Sequence, residues 1–245
     1  MKTSLQIVIP VLNEELSLFN SVNKLHRSIS STLIDYDWKI NIVDNGSTDK
    51  TPEISKDLTS RFKEVFYTRL ELRGRGRALR TAWFNPQFDI HCYMDVDLST
   101  DIKSINILVD SIASNEYLVA TGSRLMKKSE VIGRTLKREI ISRCYSLLVR
   151  LTFRINILDF QCGFKFLNGD IARKIAPLIV DQGWFFDTEL ILLAHSLNYE
   201  INEVPVRWVD DPDSRVKIVS TAWEDIKGLA RLKFGGIRKA LSDIK

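Results

Sequence analysis

Residues 92–100 read Cys92-Tyr93-Met94-Asp95-Val96-Asp97-Leu98-Ser99-Thr100, and the two aspartates of this stretch organise the chain around them. The run from Phe88 to Met94 is rich in β-formers, which predicts a buried strand delivering Asp95 and Asp97 to its carboxyl edge. Open α/β sheets bind their ligands at that edge. Residues i and i+2 of a strand point the same way, so both carboxylates would face a divalent cation whose remaining positions a diphosphate fills. Taken alone, Asp-Val-Asp is equally well a polar strand end and turn before the helix predicted after Asp101. The flanking stretches decide between the two.

Upstream, Leu5 to Pro10 predicts a short strand closed by proline. Asn13 is placed as the N-cap of the first helix, with Glu14 and Glu15 in its first turn, where the helix dipole favours them. Trp38 to Val43 predicts a second strand, ended by the turn Asp44-Asn45-Gly46-Ser47-Thr48-Asp49, in which Gly46 supplies backbone freedom. A helix from Thr51 to Ser60 tolerates Pro52 in its first turn. Val65 to Thr68 is the third strand, and Arg73-Gly74-Arg75-Gly76-Arg77 opens a helix through Trp83. Glycines alternating with cations before a helix suit a phosphate group, although this is neither a Walker loop nor a dinucleotide fingerprint. A solvated basic loop is the competing reading. Downstream of Asp97, a helix from Ile102 to Ser114 and a strand from Tyr117 to Thr121 lead into Gly122-Ser123-Arg124. This βαβαβ rhythm predicts an α/β fold with a mostly parallel central sheet flanked by helices.

A chain of 245 residues with 44% hydrophobic content suffices for one large α/β domain with an appendage. The formal net charge is +4, yet Arg124 to Arg154 alone holds nine lysines and arginines against Glu130 and Glu139. Something anionic is expected to meet that segment. Aromatic residues do not interleave with these cations, Tyr145 and Phe153 standing nearly alone, which argues against a nucleic-acid-binding module. Cys92, Cys144 and Cys162 form neither a zinc pattern nor a disulfide frame and are expected to be reduced, inert thiols. His26, His91 and His195 are equally scattered. No signal-peptide pattern and no apolar run of membrane-spanning length is present, so a cytoplasmic protein resting on a membrane is the expectation.

Seven ordered stretches carry a family resemblance: Ile9-Pro10-Val11-Leu12-Asn13-Glu14-Glu15, Val43-Asp44-Asn45-Gly46-Ser47-Thr48-Asp49, Asp95-Val96-Asp97-Leu98-Ser99, Gly122-Ser123-Arg124, Asp159-Phe160-Gln161-Cys162-Gly163-Phe164-Lys165, Trp184-Phe185-Phe186-Asp187-Thr188-Glu189, and Glu203-Val204-Pro205-Val206-Arg207-Trp208. Together they resemble the family 2 glycosyltransferases of GT-A fold, and within them the polyprenyl-phosphate (dolichyl-phosphate) glucosyltransferases. The resemblance implies a Rossmann-like nucleotide-sugar half (1–122), an acceptor half (123–218) and a basic amphipathic helical tail (219–245). It implies that Pro10, Val11, Glu14 and Asp44, with Gly46 and Arg77, hold the nucleotide sugar, and that Asp95 and Asp97 hold Mg²⁺ or Mn²⁺ on its diphosphate. Ser99, Arg124, Arg138 and Arg215 would meet the acceptor phosphate, and Asp97, Arg124 and Asp159 form the implied catalytic set. Two departures stand out. Asn45 replaces the usual second aspartate, and Asp213-Ser214-Arg215-Val216 replaces Gly-Ser-Lys-Leu.

The implied reaction moves a hexose, glucose from UDP-glucose, onto a polyprenyl phosphate with inversion. A phosphate monoester, with its second pKa near 6, is largely deprotonated at neutral pH, so this acceptor requires no strong general base. A sugar or protein hydroxyl acceptor, the alternative, would require one, and Asp159 or Asp187 would serve. Asp187 reads equally as the N-cap of a helix to Leu197. Leu136, Ile140, Cys144, Leu147 and Leu151 fall on one face of a helix from Arg134 to Phe153, expected to pack mostly on the core, while the flanking cations suit anionic lipid headgroups. In the tail, Trp223, Ile226 and Ala230 share a face, Gly235-Gly236 interrupts, and Ile237, Leu241 and Ile244 resume. This tail is expected to lie in a membrane interface. The oligomeric state is left open.

Overall fold

Strands β1 (Thr3–Val11) and β2 (Tyr36–Asp44) pair in parallel from Thr3↔Tyr36 to Val11↔Asp44. Strand β3 (Val65–Arg69) extends the sheet beyond β2, and β4 (Ile90–Met94) pairs in parallel with the other side of β1. The computed structural model describes residues 2–84, 87–210 and 218–243. Seven strands form the sheet in the order β3-β2-β1-β4-β7-β5-β8, where β5 is Val119–Ser123, β7 Phe164–Asn168 and β8 Ile201–Pro205. Only β7 runs antiparallel to its neighbours β4 and β5. A small second sheet pairs β6 (Glu130–Ile132) with β9 (Arg207–Val209). The expected mostly parallel sheet flanked by helices is therefore the observed one.

The period of two in β1 divides the core. Leu5, Ile7, Ile9 and Val11 join one buried cluster with Leu18, Val22, Leu25 and Ile29 of α1 (Leu18–Thr32). Val8 joins the other, with Ala78, Leu79 and Trp83 of α3 (Arg75–Trp83). Strands buried on both faces read as near-continuous apolar runs, which is why β1 and β4 were legible. Helix α2 (Thr51–Arg61) and α4 (Ser104–Ala113) complete the nucleotide-half helices at positions close to those expected.

Three expectations fail. Asn13 is no helix N-cap: it sits at φ 55°, its Oδ1 accepts from Thr48 N, and α1 begins only at Leu18. The side chain ties two strand-end loops together instead. Asp187 is no cap either. It lies inside α7 (Phe186–Ser196), the helix after α6 (Gly169–Ile175), with its carboxylate buried. Third, the apolar face of α5 (Leu136–Phe153) does not pack on the core: Leu136 is 81% exposed, Ile140 61% and Leu151 71%, while Ser146 and Val149 face inward. Cys144 is likewise exposed, whereas Cys92 and Cys162 are buried.

The tail is stapled to the domain on one side. In α8 (Ile218–Arg231) the Arg231 guanidinium donates both Nη atoms to Glu189, at 2.7 and 2.8 Å, and Glu189 is buried in α7. Leu229 and Leu232 are buried, and an added Cβ at Gly228 would lie 2.4 Å from the Phe185 ring. The expected face points away: Trp223 is 58% exposed and Ile226 49%. A kink at Gly235 (φ +124°) separates α8 from α9 (Ile237–Ser242), as the glycine pair predicted. Ile244 lies outside the described residues.

Asp225 gives this docking a pH dependence. Its Oδ2 accepts from Gln161 Nε2 at 2.7 Å, its Oδ1 is buried without a partner, and burial raises its pKa to about 6. A carboxyl raised in the folded state contributes stability at low pH and loses it as pH rises through the folded value. Asp225→Asn, which keeps an acceptor for Gln161, should therefore raise the unfolding midpoint by a few degrees at about pH 8 and leave it unchanged below about pH 4. Thermal unfolding of both proteins at the two pH values checks this.

Candidate active site

The parallel strands β1, β2 and β4 end at one edge, at Val11, Asp44 and Met94. Asp95 and Asp97 follow immediately, but in a turn and not as alternate strand residues. Leu98 N donates to Asp95 O at 3.2 Å, and Leu98 adopts φ 51°. The turn still aims both carboxylates into one pocket, lined by Met94, Asp95, Asp97, Leu98, Ser99, Thr100, Gly163 and Trp208. Asp97 is exposed, and its Oδ1 accepts from Ser99 N at 2.9 Å, which orients it.

Asp95 is clamped from behind by Arg75, a residue to which the sequence reading gave no role of its own. Arg75 Nη2 lies 2.8 Å from Asp95 Oδ1, and its Nη1 lies 2.6 Å from Asp187 Oδ2. Its guanidinium also covers the rings of Tyr93 and Trp184, at 4.9 and 5.0 Å. Burial opposes the Arg75 charge, but the Asp187 and Asp95 carboxylates outweigh it and hold the pKa above its ordinary value. Beneath this pair, Asp187 Oδ1 meets the Tyr93 hydroxyl and Lys165 Nζ, the latter at 3.2 Å. Burial pushes Asp187 up to about 6 and Lys165 down to about 7. The glycines flanking Arg75 serve packing, since a Cβ on Gly74 would lie 2.7 Å from Gln182 O and one on Gly76 2.9 Å from Asp181 O. Arg77, two residues on, has its Nε buried without a partner, and the described contacts do not bring it to Asp95.

The run 159–165 explains itself in three dimensions, because its alternate residues each hold a different element. Asp159 pairs with Arg124, Gln161 with Asp225 of α8, and Lys165 with Asp187 of α7. Gly163 makes room for Asp95, whose Oδ2 would lie 1.8 Å from an added Cβ.

On the donor side the residues are more enclosed than expected. Asp44 is fully buried: its Oδ1 accepts from Ser47 N, and its Oδ2 from Tyr67 Oη and Arg69 Nη1. Its carboxylate braces the turn at the edge where the nucleotide sugar is expected. Val11 O accepts from Asn45 N and Nδ2, so Asn45 does act by hydrogen bonding alone. Gly46 takes φ +78°, the left-handed conformation expected of it. Pro10 and Glu14 are half-buried at the same edge, with Glu14 Oε2 accepting from Ser17 Oγ.

The acceptor side is a cluster of arginines and carboxylates. Arg124 donates to Asp159 three times, through its backbone N at 2.9 Å, Nε at 2.7 Å and Nη2 at 2.9 Å. Burial works against the Asp159 carboxylate, but the Arg124 charge prevails and holds its pKa down at about 2. Asp159 is thus engaged by Arg124 through both of its oxygens. Arg138 Nη1 donates to Asp210 Oδ2 at 2.7 Å, and Asp210 Oδ1 accepts from Trp208 Nε1 at 3.0 Å. The Trp208 ring lies 5.0 Å from the Arg124 guanidinium and also lines the Asp95/Asp97 pocket. Val209 N donates to Ser99 O and Thr100 bridges to Trp208, so Ser99, Arg124 and Arg138 come together around β9. Arg215 lies outside the described residues. Trp208, Lys165 and Arg75 carried no separable signal in the sequence.

Residues 6–176, more than half of the chain, match the family model described as Glycosyl transferase family 2. The chain belongs to that family. Glycosyltransferase AglD of Haloferax volcanii is 34% identical over 224 residues, covering 91% of this chain and 35% of its own length. The dolichyl-phosphate β-glucosyltransferases of Dictyostelium discoideum and Saccharomyces cerevisiae are each 27% identical, covering 94% of this chain and 74% of their own. The chain thus spans about a third of the first relative and about three-quarters of the other two. Among solved structures, glucosyl-3-phosphoglycerate synthase from Mycobacterium tuberculosis, crystallised with Mn²⁺ and UDP-glucose, superposes with a TM-score of 0.68 at 16% identity, over 95% of this chain and 79% of that one. At that identity the likeness shows the GT-A fold of the family 2 chain.

Proposed function

We propose that this glycosyltransferase moves glucose from UDP-glucose onto the phosphate of a polyprenyl phosphate, with inversion, at the cytosolic face of a membrane. The observation that carries the reading is that neither candidate base is placed to act as one. Asp159 is engaged by Arg124 and held near pKa 2, and Asp187 is buried beneath Arg75. A hydroxyl acceptor would lack a proton acceptor there, whereas a phosphate monoester arrives already ionised. What it requires is positive charge to bring two anions together, and Arg124 and Arg138 stand one tryptophan away from the Asp95/Asp97 pocket. The names of the dolichyl-phosphate relatives support the same acceptor class.

The two carboxylates fit a hard divalent cation. Both offer oxygen ligands in one pocket, and Mg²⁺ and Mn²⁺ commonly take one or two protein carboxylates and complete their shell with substrate phosphates and water. Asp97, exposed and aligned by Ser99 N, is the stronger ligand, and Asp95 is shared with Arg75. When bound, the cation would stabilise charge on the departing diphosphate as a Lewis acid. Trp208 and the Ser99 loop, bound to each other through β9, keep the donor carboxylates and acceptor arginines at a set separation.

The acceptor's lipid must be met at a surface. Among the described residues no helix is long and apolar enough to cross a membrane. The exposed face of α5, with Leu136, Ile140, Leu147 and Leu151, ends near the tail kink, where Lys233 Nζ donates to Thr152 O and Phe234 is 88% exposed. Arg143, Arg150 and Arg154 flank that face, so an anionic bilayer matches both its apolar and its charged parts. The test is a screen of nucleotide sugars against a short prenyl phosphate and against free saccharides, reading lipid-linked product. Glucosylated prenyl phosphate from UDP-glucose is expected; product on saccharides alone would overturn the reading. With the long-chain acceptor in anionic vesicles, Leu147→Glu/Leu151→Glu should release the protein and slow transfer, while transfer to the short soluble acceptor persists.

A further inference from the structure

Arg134 differs from Arg124 and Arg138, the two arginines already placed at the acceptor side. Its side chain is only 8% exposed, and Nη2 donates to Ser142 Oγ while Nε stands 3.5 Å from Glu139 Oε2, yet Nη1 and Nε make no hydrogen bond. Arg124, by contrast, is engaged by Asp159, and Arg138 by Asp210. Burial, and after it the like charge of Arg124, draws the Arg134 pKa below its ordinary value, against the pull of Asp159, Glu139 and Asp210. Those groups come from separate elements: Arg124 from just beyond β5, Asp159 from the loop before β7, Asp210 from just beyond β9, and Glu139 from the first turn of α5.

A guanidinium that is buried, repelled by a neighbouring cation and left with enclosed N–H groups that make no hydrogen bond is stabilised by an anionic oxygen at those groups. The backbone holds it there. Gly133 takes φ +78°, Asp210 N donates to Ile132 O at 2.8 Å, and the Thr135 cap accepts from Arg138 N. Arg134 therefore leaves the β6 sheet and runs along α5, past Arg138 one turn on, to Ser142.

We propose that Arg134 is a phosphate-binding residue, its Nη1 edge taking an oxygen of the phosphate monoester that Arg124 and Arg138 flank. This rests on the acceptor class given above and names the donor that is free to meet it. Arg124 and Arg138 supply charge while bound to carboxylates, and Arg134 supplies the unengaged hydrogen bonds. A phosphate monoester suits the place better than a carboxylate because it is nearly dianionic at neutral pH and presents three acceptor oxygens to three guanidiniums.

The experiment titrates wild type, Arg134→Gln and Arg134→Lys with a short prenyl phosphate, with inorganic phosphate and with UDP-glucose, by calorimetry, alongside steady-state kinetics. The expected result is that Arg134→Gln weakens prenyl phosphate binding and raises its KM by about 10- to 100-fold, with UDP-glucose binding and the unfolding midpoint unchanged. Arg134→Lys keeps the charge without the fork and should recover part of the loss. Unchanged prenyl phosphate binding in Arg134→Gln, or equal losses for both substrates, would overturn the proposal. Should Arg134→Gln not fold, Arg134→Lys decides by the same split. If wild type binds inorganic phosphate as tightly as prenyl phosphate and makes no lipid-linked product, the lipid reading fails while an effect of Arg134 on phosphate binding still upholds the anion site. If wild type does glucosylate prenyl phosphate and Arg134→Gln does so with an unchanged KM, this inference fails alone.

Discussion

Asp97→Asn is expected to abolish turnover while the protein stays folded. Asp97 is exposed, its Oδ1 held by Ser99 N at 2.9 Å, so its replacement by an isosteric amide disturbs neither core nor turn. The amide can still accept the Ser99 hydrogen bond, but it carries no charge to hold a divalent cation or to balance one against the diphosphate. Losing a group aimed at charge that develops during reaction typically costs about 3 to 4 kcal/mol, a hundredfold to a thousandfold in rate. Single-turnover transfer from UDP-glucose, measured beside the unfolding midpoint, separates chemistry from folding. Near wild-type turnover in Asp97→Asn, or full wild-type activity in EDTA, would rule out a metal held by this carboxylate.

The largest stability effect is expected at Arg75. Its guanidinium is 9% exposed and joins Asp95 to the buried Asp187, with Tyr93 and Trp184 against its plane. Removing one partner of a buried ion pair leaves the other charged and desolvated, which costs about 3 to 5 kcal/mol. Lys165 and the Tyr93 hydroxyl still reach Asp187, so the lower end, about 3 kcal/mol, is the expectation for Arg75→Ala. Denaturant unfolding measures it. Adding Asp187→Asn removes the stranded charge and should restore part of the loss, a coupling that a double-mutant cycle reports directly. Donor affinity should fall in Arg75→Ala because Asp95 loses its clamp, and should remain low in the double variant. A cost under about 1 kcal/mol for Arg75→Ala would mean that Asp187 is held neutral and that the clamp is weak.

Most of the sheet was readable in the chain because strands covered on both faces read as near-continuous apolar runs, as residues 7–11 of β1 and 90–94 of β4 do. The seven stretches that resemble the family led to the family that the comparison finds. The failures share a physical origin. Asn13 and Asp187 are polar residues beside element ends, and so is Asp44, whose partners the spacing did not reveal; at such places a side chain serves equally as cap, turn brace or buried ion partner. Short-range spacing does not distinguish these roles, since the partner comes from elsewhere: Thr48 for Asn13, Tyr67 and Arg69 for Asp44, Arg75 for Asp187. The apolar face of α5 was misplaced for a related reason. Periodicity identifies that a helix has an apolar face, but whether the protein or another phase covers it depends on which face the rest of the fold occupies.

The sequence by itself determined the α/β architecture, the edge at which Asp95 and Asp97 stand, and the excess of cations between Arg124 and Arg154, because each follows from local patterning and composition. Only the tertiary structure decided which of those cations is engaged and which is open. Arg124 and Arg138 are paired with Asp159 and Asp210, carboxylates 35 and 72 residues away, and Arg134 keeps an Nη1 without a hydrogen-bond partner. A charge is counted from the sequence, but its partner is set by distance in space, and the Coulomb and hydrogen-bonding terms that fix its role act over a few ångströms.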